Sequence, residues 1–253
     1  MKLGCVIPCY KGGSVTLQLI KNLLPLVDLI VLIDDCCPFN TGKEVLKEIP
    51  ENNLIVLINK NNRGVGFSTK RGFKILIENK CDIIVKIDAD GQINPNLIPN
   101  LIKPIVAGKA EASKGNRFTS IDNLTSMPKI RVFGNLGLSF LNKLSSGYWE
   151  LFDPTNGFIA FKSSVLEKIR LDKVDNRYFF ESDLLFQCGL ANISFSQLSM
   201  KSNYLNEISS LKPEKEFFRF LIRHIKNTFK RLIYQYFLLD FNIGSVQIIC
   251  VLL

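Results

Sequence analysis

Short apolar runs alternate with amphipathic segments along the first hundred residues of the chain. The apolar runs cover 3–7, 29–33, 54–58 and 83–87, with Pro8 ending the first, and such runs are typical of buried strands. Between them, 15–26, 41–49 and 68–78 repeat apolar residues at helical spacing, with Ser68 or Thr69 as a candidate cap of the third helix. This order predicts an α/β fold with a mostly parallel sheet flanked by helices.

Residues suited to ligand binding stand where these strands end. Pro8 and Tyr10 follow the first strand, Asp35 follows the second, and Asp88 and Asp90 follow the fourth. Ligands of such sheets bind beyond the carboxyl ends of the strands. The pattern therefore predicts one ligand site at this edge.

The sharpest local feature is the pair of carboxylates Asp88 and Asp90, separated by Ala89. Burying two carboxylates one residue apart is costly without a cation. A hard divalent ion such as Mg²⁺ resolves this, because it prefers oxygen ligands and keeps room for substrate phosphates. Gln92 adds another oxygen, so we predict a metal site that neutralises a diphosphate leaving group. Taken alone, two acids at this spacing are a common and weak signal.

Two basic clusters have alternative interpretations. The glycine-containing loop 62–66 either cradles a phosphate at a helix N-terminus or forms a tight turn that lets the helix pack on the sheet. Lys70 and Arg71 follow it and supply cations. Arg117, in the sequence KGNRF, suits bidentate phosphate recognition. The alternative is that Arg117 is an ordinary surface charge without a ligand.

Two acidic clusters are equally open. Asp153, in DPTNGF, is either a turn-capping aspartate or a positioned base. Glu181 and Asp183 sit among aromatic and aliphatic residues. They either pair structurally, with Arg177 or with helix N-terminal amides, or orient an acceptor.

The segment 217–241 has a different character from the rest of the chain. Arg219, Arg223, Lys226 and Lys230 would form one stripe on a helix. An adjoining apolar face would hold Phe218, Leu221, Ile222, Ile225, Phe229 and Leu232. A basic amphipathic helix of this kind predicts contact with a membrane surface. The alternative is a helix packed on its own domain with a solvated basic face.

An apolar stretch follows, and from 232 to 253 its only charge is Asp240. Spanning a bilayer takes roughly 20 apolar residues, so the apolar run IGSVQIICVLL (243–253) at its end is too short to cross one by itself. We therefore expect a catalytic domain over 1–211 and a membrane-facing helical segment over 212–253, the start of a membrane anchor.

The composition narrows the class of partner. With 47% hydrophobic and 22% charged residues, the chain is neither disordered nor fibrous. Its net charge of +9 predicts nucleic acid, a phosphorylated substrate or an anionic membrane as partner. More than half of this excess lies between 217 and 231, which favours a membrane over nucleic acid. The seven cysteines lack C-x-x-C spacing and are typical of a reduced cytosolic protein.

With its motifs in this order, the sequence resembles family 2 glycosyltransferases, and especially their polyprenyl-phosphate branch. These enzymes have the GT-A fold, which contains a Rossmann-like sheet. The matching segments are VIPCYKG (6–12), IDDCCPFNTG (33–42), NRGVGFSTKRGF (62–73), KIDADGQINP (86–95), KGNRF (114–118), DPTNGF (153–158), RYFFESDLLF (177–186), YLNEISSL (204–211) and KRLIYQYFLLDF (230–241). They extend over nearly the whole chain.

The resemblance implies a role for each matching residue. Pro8, Tyr10 and Asp35 would line the nucleotide pocket, with Lys70 near the diphosphate. Asp88, Ala89, Asp90 and Gln92 would form the donor and metal site, the three polar residues holding Mg²⁺ or Mn²⁺. Arg117 would contact phosphate, and Asp153 would face the acceptor.

The implied reaction is an inverting sugar transfer from a nucleotide-diphosphate sugar to a polyprenyl phosphate at the cytoplasmic face of the membrane. The alternatives are a glycan acceptor in cell-surface polysaccharide synthesis and, more remotely, a non-catalytic anionic-lipid-binding protein of the same fold. Cys36 and Cys37 replace the usual Gly-Ser, and Lys11 and Gly12 stand where an acid is common. These departures leave the identity of the nucleotide open but not the metal site. The sequence does not determine the sugar, the acceptor or the oligomeric state.

Overall fold

The computed structural model describes residues 1–118, 129–201 and 213–252. Within these ranges, seven strands form one sheet in the order β3-β2-β1-β4-β6-β5-β7. The strands are β1 (Leu3–Cys9), β2 (Leu29–Asp34), β3 (Leu54–Ile58), β4 (Ile83–Lys86), β5 (Ala112–Asn116), β6 (Ile159–Lys162) and β7 (Phe195–Ser199). Only β6 runs against its neighbours β4 and β5, which confirms the predicted mostly parallel sheet.

Helices cover both faces of this sheet. They are α1 (Gly13–Leu23), α2 (Thr41–Glu48), α3 (Val65–Glu78), α4 (Ile98–Val106), α5 (Lys129–Ser146), α6 (Ser163–Lys168), α7 (Phe180–Leu190), α8 (Pro213–Ile233) and α9 (Ile243–Leu252). Alternate strand residues feed two buried clusters, because successive strand side chains point to opposite faces. Helices α1, α2 and α4 complete one cluster, and α3, α6 and α7 complete the other.

Two local expectations need correction. Strand β1 continues through Pro8 to Cys9 instead of ending at Pro8. The Val6 carbonyl accepts a hydrogen bond from the Ile87 N–H, so the backbone polar groups of Val6 point towards β4. Those of Pro8, two residues further along, point to the same side. Because β4 has already ended at that level, the sheet does not need the N–H that proline lacks.

Helix α3 begins at Val65, so Ser68 and Thr69 lie inside it and cap nothing. Both are buried, and the Thr69 hydroxyl donates to the Val65 carbonyl at 2.8 Å. The helix instead follows Gly64, whose φ of +97° is a conformation that glycine adopts without a steric penalty.

Helix α8 packs on the domain through a largely polar face. Phe220, His224, Asn227 and Arg231 are buried at helical spacing. The Arg231 guanidinium donates to the Leu144 carbonyl at 3.0 and 3.2 Å, which fixes α8 against the end of α5. The amphipathic helix predicted here is present, and it docks by its polar side.

The outer side of α8 is apolar and basic. Phe218, Ile222 and Phe229 are 68%, 65% and 63% exposed. Of the predicted basic stripe, Arg223 turns inward to pair with Asp175, and Leu221 and Leu232 of the predicted apolar face are half-buried. No helix in the described ranges is long and apolar enough to cross a membrane. The predicted domain boundary at 211/212 and the segment 204–211 lie outside the described residues.

His224, the single histidine of the chain, provides a pH test of this packing. Burial lowers its pKa to about 4, whereas an unfolded histidine titrates near 6.5. Between these values the unfolded chain binds more protons, so acidification destabilises the fold. We expect wild-type protein to lose on the order of 3 kcal/mol of unfolding free energy from this group between pH 6.5 and 4.

Urea unfolding at a series of pH values measures this loss. His224→Asn removes the titrating ring, so its stability should decline less steeply over the same interval. An equally steep decline in the variant would show that other groups cause the acid sensitivity.

Candidate active site

The carboxyl ends of β1, β2 and β4 lie side by side and gather the predicted ligand-binding residues at one edge of the sheet. Pro8 is buried in β1, and Tyr10 just beyond it is about half exposed. Asp35 follows β2, and Asp88 follows β4. The topology thus brings together residues that are far apart in sequence, as the strand pattern predicted.

Asp35 holds the glycine loop with its carboxylate. Its oxygens accept from the Asn59 amide at 2.7 Å and from the N–H groups of Arg63 and Gly64 at 2.9 and 2.7 Å. A Cβ on Gly66 would lie 2.2 Å from the Asp175 carbonyl, so this loop packs tightly against 175–177. The geometry favours the tight-turn interpretation over a phosphate cradle, and it makes Asp35 an anchor of the loop.

Lys70 lies away from the predicted diphosphate position. Its ammonium donates to the Val174 carbonyl at 2.5 Å. Burial lowers its pKa, against the attraction of Asp175, Asp183 and Asp172. The structure therefore places Lys70 between α3 and the segment before α7, and this corrects its predicted position.

Cys36 and Cys37 replace the usual Gly-Ser in the loop after β2, and the backbone at Cys36 keeps a conformation typical of glycine. Cys36 has a φ of +60°, in the left-handed region that favours glycine. The Cys37 sulfur accepts from the Lys11 N–H at 3.1 Å and lies 3.1 Å from the Thr41 hydroxyl. Burial raises the pKa of the Cys37 thiol, but hydrogen bonds from Thr41 and nearby amides outweigh it, so the pKa lies below its ordinary value.

Lys86, the last residue of β4, lies beneath Asp88, one of the three candidate metal ligands. Its side chain is fully buried, and its ammonium donates to Asp88 at 2.6 Å and to Glu181 at 3.1 Å. Burial lowers the pKa of Lys86, but the two carboxylates outweigh it and hold that pKa above its ordinary value. One oxygen of Asp88 is therefore fixed from below by a permanent cation.

Arg117 and Asp153 form a second ion pair beside this one. The guanidinium donates through Nε and Nη2 to the two Asp153 oxygens, both at 2.6 Å. The Arg117 N–H and the Asn156 amide also donate to Asp153, each at 3.1 Å. Since the Asp153 side chain is fully buried, it does not face an acceptor, which corrects the predicted role. It is a positioning residue that fixes Arg117.

Lys114 is a second buried lysine near these pairs. Its ammonium donates to the Asn156 carbonyl. Burial lowers its pKa to about 8, while the charges of Asp153 and Glu181 oppose that shift. The side chain of Lys114 ties β5 to the turn that contains Gly157.

A cleft of about 130 Å³ opens above these groups. It is lined by Asp88, Asp90, Gln92, Ile93, Arg117, Thr155, Asn156 and Gly157. A Cβ on Gly157 would lie 1.8 Å from an Asp88 oxygen, so glycine alone fits against this carboxylate. The structure thus brings all three predicted metal ligands and Arg117 to one cavity.

The chemistry of this cavity fits a hard divalent ion. Asp88 is one-third exposed, and Asp90 accepts the Gln92 N–H at 3.0 Å. No cluster of three or more His, Cys, Asp or Glu able to hold a metal occurs among the described residues. Two carboxylates and an amide oxygen suit Mg²⁺ or Mn²⁺, which complete their coordination with water and substrate phosphates.

Lys86, Lys114 and Gly157 were not predicted from the sequence. For Lys86 a signal was present, because it precedes Asp88 by two residues, and positions two apart in a strand point to the same side. Lys114 and Gly157 gave no comparable signal, since their roles depend on contacts between distant segments.

Comparison with known proteins identifies the family. Residues 5–170 match the glycosyl transferase family 2 profile, and the chain belongs to this family. It is 30% identical to a UDP-N-acetylglucosamine–dolichyl-phosphate N-acetylglucosaminyltransferase of Methanococcus voltae, over 79% of this chain and 84% of the relative. It is 26% identical to an undecaprenyl-phosphate mannosyltransferase of Micrococcus luteus, over 74% of this chain and 77% of the relative.

A solved structure confirms the fold. Glucosyl-3-phosphoglycerate synthase from Mycobacterium tuberculosis, in complex with Mn²⁺, UDP and glucosyl-3-phosphoglycerate, superposes with a TM-score of 0.66. The match covers 91% of this chain and 79% of that one, at 17% identity. The predicted GT-A glycosyltransferase fold is thereby confirmed.

The Arg117–Asp153 pair gives a stability test. Arg117→Ala would leave the buried Asp153 carboxylate unpaired, and we expect the unfolding free energy to fall by about 3 kcal/mol or more. Urea unfolding monitored by circular dichroism measures this. Arg170→Ala removes an arginine from an exposed pair with Asp172 and should change stability little. Wild-type stability in Arg117→Ala would show that the pair does not hold the site together.

Proposed function

We propose that this protein transfers a sugar from a nucleotide-diphosphate sugar to a polyprenyl phosphate, with inversion at the anomeric carbon. The cleft carries this proposal, because it brings Asp88, Asp90 and Arg117 together in one cavity at the carboxyl end of the sheet. Carboxylates that hold a cation and a fixed guanidinium are the groups that a diphosphate donor and a phosphate acceptor require. The names of the relatives support a lipid-phosphate acceptor.

Asp88, Asp90 and Gln92 would hold Mg²⁺ or Mn²⁺, which when bound neutralises charge on the donor diphosphate. Lys86 keeps Asp88 in place from below, so this ligand needs no reorganisation when the donor binds. Both roles concern binding and orientation of the diphosphate leaving group.

Arg117 would bind a phosphate oxygen, with its direction set by Asp153. An acceptor phosphate already carries negative charge near neutral pH. The attacking oxygen therefore needs alignment more than deprotonation, and positioning supplies that. This is consistent with the burial of Asp153, which leaves it unavailable as a base.

Asp90→Ala tests the metal and donor assignment. We expect transfer of radiolabelled sugar to a polyprenyl phosphate to need Mg²⁺ or Mn²⁺ and to fall by about a hundredfold or more in the variant. Asp172→Ala, an exposed acid outside the cleft, serves as the control and should keep wild-type activity. Full activity of Asp90→Ala would remove the metal assignment.

Calorimetric titration with UDP and GDP in the presence of Mn²⁺ adds a readout that does not depend on turnover. Binding of one nucleotide by the wild type, and weak binding by Asp90→Ala, would support a transferase. An acceptor screen with glycans then separates lipid from glycan acceptors. Absence of binding to any nucleotide diphosphate would favour a non-catalytic protein of this fold.

The outer surface of α8 is the proposed membrane contact. The exposed apolar side chains of Phe218, Ile222 and Phe229 lie on the same helix as exposed Lys226 and Lys230. Such a surface binds the interface of an anionic bilayer through apolar burial and charge attraction. All seven cysteines have free thiols, which supports a reducing compartment and hence the cytoplasmic face of the membrane.

Flotation with vesicles of phosphatidylcholine and phosphatidylglycerol tests this contact. Replacing Ile222 and Phe229 by Ser should weaken binding about tenfold per residue, because each loses its apolar burial. Leu46→Ser on α2, similarly exposed at 53%, is the matched control. Lys230→Glu should weaken binding only when anionic lipid is present. Unchanged flotation of the double variant would remove α8 as the membrane contact.

A further inference from the structure

Two acids in the first turn of α7 contact different parts of the molecule. Glu181 and Asp183 are two residues apart, so their side chains leave the helix about 200° apart, in nearly opposite directions. Glu181 reaches Lys86 beneath the cleft. Asp183 reaches α8 on the other side. This single turn thus lies between the candidate donor site and the helix with the exposed apolar face.

The contacts on the donor side are buried and short. Lys86 bridges Asp88 and Glu181 at 2.6 and 3.1 Å, and its side chain is fully buried. The Glu181 side chain is 14% exposed. Any displacement of Glu181 would therefore shift or strip a charge partner of Lys86, and Asp88 shares that cation.

The contacts on the α8 side are also specific. The Asn227 amide, buried on the inner face of α8, donates to Asp183 at 2.7 Å. The other Asp183 oxygen accepts the Asp175 N–H at 3.1 Å, and the Asp175 side chain pairs with Arg223 of α8. Helix α8 therefore bonds both to the first turn of α7, through Asn227, and to the segment before it, through Arg223.

We propose that Asn227 is a positioning residue for the donor site, which sets Asp88 through Asp183, the first turn of α7, Glu181 and Lys86. The contacts of Asn227 with Asp183, of Glu181 with Lys86 and of Lys86 with Asp88 are hydrogen bonds or ion pairs between buried or half-buried groups, and the helix backbone of α7 joins Asp183 to Glu181. Only the consequence for donor affinity rests on the proposed function. The mechanical link itself does not need a ligand.

Hydrogen–deuterium exchange of the whole chain without ligand tests the link directly. In Asn227→Ala and in Asp183→Asn, amides of the loop 87–92 should exchange about fivefold or more faster than in the wild type. Thr228→Ala is the matched control, because that hydroxyl donates to the His224 carbonyl of its own helix. If both variants fold and exchange becomes faster only in 175–183, with the exchange rates of 87–92 unchanged, the proposal is overturned.

A double-mutant cycle with Glu181→Gln shows whether the effect passes through this residue. Nucleotide diphosphate binding with Mn²⁺ should weaken about fivefold in Asn227→Ala and should weaken no further when Glu181→Gln is already present. Fully additive losses would overturn the route through Glu181. A wild type that binds no nucleotide would count against the proposed function, while the exchange experiment would still decide the link.

Discussion

The fully buried ammonium of Lys86 is the interaction on which the candidate site depends. Removing this charge from water is costly, and the carboxylates of Asp88 and Glu181, together with the Gly157 carbonyl at 3.5 Å, offset that cost. The end of β4, the loop after it and the first turn of α7 must therefore stay together. Gly157 lies so close to Asp88 that no side chain fits between them. The position of a surface carboxylate is thus set by a charge in the core.

The same principle explains why Asp153 differs in role from Asp88 and Asp90. A carboxylate that is fully buried and accepts from two nitrogens of one guanidinium cannot also accept a proton from a substrate without breaking the pair. Its charge instead allows Arg117 to stand at the cleft with a fixed direction. The site therefore separates two acids that line the cleft, Asp88 and Asp90, from a buried acid that holds the Arg117 guanidinium in place. This division suits the proposed acceptor, whose phosphate is already ionised.

The strand ends and the two carboxylates of the candidate metal site were predictable, because they follow from local patterns. Five-residue apolar runs followed by acids locate the edge of a parallel sheet, and Asp88 and Asp90 fall there. The pairing of Asp153 with Arg117 could not be predicted, since it joins residues 36 positions apart in sequence, with helix α5 between them. Lys70 was misplaced for the same reason. A cation one turn into α3 faces whatever segment packs on that helix, and 174–177 is far away in sequence.

Helix α8 shows how periodicity alone leaves a direction undetermined. The spacing of apolar residues predicts an amphipathic helix, but burial of an apolar face on the domain and its presentation outward give the same sequence pattern. Here the polar inner face, with Asn227 and Arg231, forms specific bonds to α7 and α5, so the helix docks in one register without using its apolar side. Hydrogen bonds fix orientation where hydrophobic contact would tolerate sliding. A helix held in this way can present an apolar surface outward and, through the proposed link from Asn227 to Asp88, still influence the geometry of the donor site.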